Sequence, residues 1–190
     1  AAALAGGAPL LARVEPGAMD PAKAALQRGD GIAGEVALRK VLAAGATRTD
    51  VAARMGEALI LQGDLVKARD WLGPGQFAPG EEGHGWRMLG MLERLDGNLP
   101  AAGQAYDKAL GYAPKDPLLW VDIGRLRYVG GEQVQALDAA ERALAAAPDN
   151  PRALEFRAQL LRDQRGWDAA LPLYEQALEQ APNDLSLLGG

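Results

Sequence analysis

The chain carries one histidine and no cysteine. His84 is therefore the single imidazole available for acid–base work. Disulfide frameworks, zinc–thiolate and iron–sulfur sites, multi-histidine metal sites and thiol nucleophiles are all excluded. His84 stands in Gly83-His84-Gly85, and no neighbouring serine or aspartate orients its ring. That run lacks the strand–loop–helix setting of a phosphate loop. Its phase predicts a surface histidine at the entrance of a helix. Glu81 and Glu82, just before it, read as solvated loop carboxylates. Trp71, Trp86, Trp120 and Trp167 read as packing residues, not as a ligand cage. No nucleophile–base pair emerges, so the chain is expected to be no enzyme and to hold no metal or cofactor.

Charge and composition narrow the class further. Twenty basic residues against 25 acidic ones leave a net charge of -5. A general nucleic-acid binder needs a basic face to neutralise phosphates, so that partner class is not expected. Nothing in the chain reaches the roughly 18 unbroken apolar residues of a membrane span. Alanine fills 38 positions, while aromatics make up only 5%. Alanine loses no side-chain entropy in a helix and lets helices approach closely. Alternating β-branched runs are missing, which leaves an all-α fold.

The elements that must position these residues recur with a fixed period. Trp86, Leu89 and Gly90 align with Trp120, Ile123 and Gly124, an offset of 34. The same offset relates Gly97 to Gly131, Ala102 to Ala136, Ala109 to Ala143, Leu110 to Leu144 and Pro114 to Pro148. Another step reaches Leu154, Ala158, Ala170, Ala177, Leu178 and Pro182, and steps back reach Ala52, Gly56, Gly63, Ala68 and then Gly29 and Gly34. Each copy reads as two helices joined by a glycine turn, because glycine supplies the left-handed conformation that ends a helix. Asp64 and Asn98 are natural caps for second helices. Asp116 and Asn150, followed by Pro117 and Pro151, open the next first helices. Neither helix of a copy buries its apolar face alone, so the copies must stack.

Trp-x2-Leu-Gly, then Ala-x3-Tyr, then Ala-Leu and Pro, repeated every 34 residues, resembles the tetratricopeptide repeat (TPR) family. The resemblance implies a right-handed α-solenoid of about five antiparallel helix–turn–helix units. Copies are expected near 15–48, 49–82, 83–116, 117–150 and 151–184, with a sixth unit begun at 185–190. Residues 1–14 read as an Ala/Gly-rich leader, either disordered or the remnant of a signal or anchor flank. Leu185, Leu187 and Leu188 leave that end uncapped, which suggests a continuing chain or self-association there.

Several residues depart from the pattern. Gly73-Pro74-Gly75 and Pro79-Gly80 interrupt the second copy. A proline in a helix interior costs about 3 kcal/mol, so that helix is expected to end near Leu72. The loop 73–83 is expected to be a plain irregular connection, with a hinge or a partner-contacting excursion as the alternatives. Pro172 is expected to kink or delay the last helix. Arg157 stands where earlier copies have Leu89 and Ile123, so it must snorkel or pair. Ala140 replaces Tyr106, which calls for another filler such as Leu137 or Trp167.

The resemblance further implies a concave face lined mainly by first helices and used to bind peptides or partner helices. On that face the phase places Arg87, Met91, Arg94 and Leu95, then Val121, Arg125, Tyr128 and Val129. The middle is apolar with arginines around it, on a chain that is acidic as a whole. Such a groove would receive a protein or peptide partner with acidic side chains and apolar anchors. The lysine–asparagine–arginine clamp of chaperone-binding members is incomplete: the matching positions are Ala53, Glu57, Met88, Leu118 and Asp122. One copy further on they are Arg87, Met91, Asp122, Arg152 and Phe156. The expected function is a non-enzymatic protein–protein interaction scaffold. The alternative is the TPR part of a larger, periplasmic or membrane-anchored assembly factor for cytochrome maturation, pili or polysaccharide export. The Ala/Gly/Arg-rich composition suggests a bacterial protein, cytoplasmic or periplasmic.

Overall fold

A computed structural model describes residues 15 and 17–182. The leader expected at 1–14 and the sixth unit expected at 185–190, with its apolar end, lie outside the described residues. Among the described residues there are ten helices and no strand: α1 (Asp20–Gln27), α2 (Gly31–Ala43), α3 (Arg48–Leu61), α4 (Leu65–Leu72) and α5 (Glu82–Leu95) come first. They are followed by α6 (Leu99–Tyr112), α7 (Pro117–Val129), α8 (Gln133–Ala146), α9 (Pro151–Arg165) and α10 (Trp167–Gln180). Each helix packs on its neighbours in the chain, and the first helices α1, α3, α5, α7 and α9 pack on one another in order. The architecture is an all-α solenoid. Its buried side chains form a string of clusters along the stack.

Local chemistry sets the helix ends. The side chains of Asp30, Asp64 and Asn98 accept from the backbone N–H groups of Ala33, Lys67 and Ala101. Those N–H groups have no partner inside a helix, so each cap satisfies one. Thr47 and Asp50 cap α3 reciprocally. The turn glycines Gly29, Gly63, Gly97 and Gly131 have φ between 74° and 79°. In the last copy the positive φ moves one residue on, to Gly166 at 87°. There α9 runs straight into α10 across that one residue. Pro172 lies inside α10, which starts at Trp167 and is therefore not delayed.

A second set of glycines makes room for large side chains packed against the first helices. A Cβ on Gly56 would fall 2.4 Å from Leu72, and one on Gly90 would fall 2.4 Å from the Tyr106 ring. A Cβ on Gly124 would fall 2.3 Å from Phe156. The space left by Ala140 is thus filled by Phe156, from the next first helix, and by neither Leu137 nor Trp167. Trp167 is 56% exposed, which corrects its reading as a packing residue. Trp86 and Trp120 are half-buried, with Lys108 and Arg142 held over their rings at 4.0 and 4.9 Å.

α4 stops at Leu72. The segment after it packs back on the fold. Ala78 donates its N–H to the Thr49 carbonyl at 3.1 Å. Phe77 packs edge-on against Trp86, with ring centroids 5.6 Å apart, and covers Gly85. The loop thereby restores the apolar cover lost with the missing helical turns.

Candidate interaction surface

Arg87, Met91, Arg94 and Leu95 project from α5, and Val121, Arg125, Tyr128 and Val129 from α7. The packing distributes them unevenly. Val121 is core, packed with Ala136, Phe156 and Leu160. Arg87 is 7% exposed. Met91 is half-buried against the first cluster. Leu95 and Val129, at the turn end, are 47% and 60% exposed.

Carboxylates answer most of the arginines on the first-helix face. Arg87 Nη1 lies 3.4 Å from Asp122 Oδ2 and its Nε lies 3.9 Å from Asp116. Arg125 Nη2 lies 3.1 Å from Glu155. Tyr128 donates its hydroxyl to Asp163 at 2.5 Å. Toward the start of the chain, Arg54 joins Glu57 at 3.2 Å and Glu81 at 2.9 Å, and Lys23 of α1 joins Glu81 at 3.1 Å. A ladder of ion pairs therefore runs across the first helices. Arg94 differs: it faces the buried Tyr106 hydroxyl and Asp122, yet makes no ion pair among the described residues. Its Nε is buried without a hydrogen-bond partner.

His84 belongs to this ladder and is not on the open surface. Its Nε2 lies 2.8 Å from Glu57 Oε2, and its side chain is 14% exposed. Burial pushes the imidazole below its ordinary range, against the pull of Glu57. Burial works against ionisation of Glu57, but the His84 hydrogen bond and the nearby cations outweigh it and hold its carboxyl low. Burial raises Asp122, against the attraction of Arg87, Arg125 and Arg94. Arg157, expected to snorkel or pair, keeps one buried Nη without a hydrogen-bond partner. The ladder was not anticipated from sequence, although Glu81, Asp122 and Glu155 each stand close to one repeat from their arginines.

No group of three or more histidine, aspartate and glutamate side chains among the described residues is placed to hold a metal ion. No helix among them is long and apolar enough to cross a membrane.

A family model described as Tetratricopeptide repeat matches residues 121–184. A thermophilic TPR protein of Thermus thermophilus superimposes with a TM-score of 0.76 at 22% identity, over 92% of this chain and 95% of that one. Residues 121–184 match the TPR family, and the chain as a whole has the TPR fold. PilF of Pseudomonas aeruginosa has the same fold, with a TM-score of 0.61 at 19% identity, over 90% of this chain and 78% of that one. Among curated proteins, the protein adenylyltransferase fic-1 of Caenorhabditis briggsae and that of Caenorhabditis elegans are 36% identical over 66 residues, or 35% of this chain. Those residues amount to 13% of the length of either relative.

Proposed function

We propose that this chain is a non-enzymatic scaffold that receives a segment of a partner protein on the face of its first helices. The observation that carries the reading is Arg94. It is a guanidinium that makes no close ion pair among the described residues, set beside the exposed Leu95 and one repeat from the exposed Val129. A partner carboxylate would supply the missing forked hydrogen bonds. Apolar anchors of the partner would cover Leu95 and Val129. Arg125 and Tyr128 are engaged with Glu155 and Asp163, so they frame the site and exchange partners only at a cost. Arg87 and Val121 act from beneath, by holding α5 and α7 in place. The fold supports a binding role, since stacked repeats offer an extended surface. The likeness to PilF, at 19% identity, is one of fold, and no described residue selects the assembly-factor alternative.

The test uses a fluorescein-labelled amphipathic peptide with glutamates spaced between leucines. Arg94→Glu should weaken its binding at least tenfold, and Arg127→Glu, on the opposite edge of α7, should leave it unchanged. Unchanged affinity in Arg94→Glu would sink the reading.

A further inference from the structure

Each second helix presents the same position to the helix pair that follows, and one copy leaves it empty. In the second copy that position is Arg69. Its guanidinium reaches Glu93 of α5 at 2.5 Å and also pairs with Asp96, which closes the slot. Thirty-four residues on, the position is Gly103, and Glu93 and Asp96 are replaced by Arg127 and Gly130. A Cβ on Gly103 would meet nothing nearer than Leu126, at 3.9 Å. Arg127 turns aside to Glu132 at 3.0 Å. What remains is an open groove of about 500 Å³ between α6, α7 and α8. It continues past Gly103 into a recess of about 280 Å³ beside Leu99 and Pro100.

The floor of the groove is apolar and aromatic: Leu110, Trp120, Ile123 and Leu126. Its rim carries Asp107, Glu132 and Asp138 against Arg127 and Arg142. Both arginines are satisfied within the rim, Arg127 by Glu132 and Arg142 by Asp138 at 2.7 Å. Asp107 makes no ion pair or side-chain hydrogen bond among the described residues. The uncompensated charge is thus a carboxylate above an apolar floor. We propose that this groove docks a peptide segment of a partner protein in which an arginine or lysine stands between apolar side chains. The cation pairs with Asp107, and the apolar side chains lie on Trp120 and its neighbours. An acidic chain attracts such a segment, and buried apolar area supplies most of its affinity. The groove lies against second helices α6 and α8, so this site and the first-helix face stand or fall separately.

The probe is the synthetic peptide acetyl-Leu-Leu-Arg-Leu-Ala-Arg-Leu-amide, with its glutamate counterpart as control. Binding is followed by the indole N–H resonance of Trp120, which donates to the Pro114 carbonyl at 2.9 Å. The cationic peptide should shift that resonance and leave the Trp71 indole unmoved. Gly103→Arg puts a long side chain into the open groove, and it should weaken binding at least tenfold without lowering Tm. Asp107→Lys should do the same. Equal binding of the glutamate peptide, full affinity in Gly103→Arg, or a still Trp120 resonance would each overturn the assignment. So would a concentration-dependent sedimentation coefficient of the chain alone that Gly103→Arg abolishes, because it would give the groove to a second copy.

Discussion

Phe77 stands edge-on to the Trp86 indole, with the two ring planes 84° apart. This contact joins the segment after α4 to the first turns of α5. Phe77→Ala should therefore lower stability by about 2 kcal/mol, less than the usual cost of a fully buried phenylalanine because this one is half-buried. Urea denaturation measures it. A loss below about 0.5 kcal/mol would show that the loop is only resting on the surface.

Two glycines in neighbouring helices should respond to alanine with opposite signs. A methyl on Gly90 would meet the Tyr106 ring at 2.4 Å, so Gly90→Ala should cost about 1–3 kcal/mol by overpacking. Gly103 has open space and a helical backbone, so Gly103→Ala should add up to about 1 kcal/mol. Thermal melts of the two variants give the comparison directly.

Asp122 and Arg87 form a buried pair, and removing one partner strands the other. Asp122→Ala should cost about 3 kcal/mol, while the double replacement Asp122→Leu with Arg87→Met should recover most of it. A double-mutant cycle by denaturant unfolding reads the coupling. Additive effects would mean that the two charges are independently solvated.

Acidification should weaken the fold through His84. Burial lowers its folded-state pKa below the ordinary 6.5, so the unfolded chain binds the extra proton first. Stability is therefore retained above about pH 6.5 and falls as the pH drops below that value toward the lowered pKa. Glu57 faces the ring at 2.8 Å and partly offsets the loss, while Arg54 and Arg87 add to it. Urea midpoints at pH 7.5 and 5.5 should separate, and His84→Gln should bring them closer together. A variant with the same pH slope as the native chain would place the titration elsewhere.

The repeat itself was legible because its signals are local. The glycine turns, the aspartate and asparagine caps and the stop at Leu72 each depend on a few adjacent residues. The pairing of the arginines was not legible, because each partner lies on another element, far along the chain. Arg54 and Glu81 are 27 residues apart, Arg125 and Glu155 are 30, and Arg87 and Asp122 are 35. A helical wheel places Arg87 and Val121 on the first-helix face. It cannot tell that stacking seals both. Phe156 likewise fills the layer of Ala140 from outside that copy, so no reading confined to one repeat could find it. His84 was misread as open surface for the same reason, since Glu57 reaches it from the preceding first helix.

The long-range ion pairs occupy different positions in each copy, although the backbone period is constant. Arg54 looks forward to the end of its own copy, Arg87 to α7, and Arg125 to α9. Copies with interchangeable backbones are thereby given distinct addresses. If the order of the middle units were shuffled, the helices would still find apolar faces, but cations and carboxylates would meet in the wrong register. The charges thus write the sequence of the stack into a scaffold whose shape alone would accept any order.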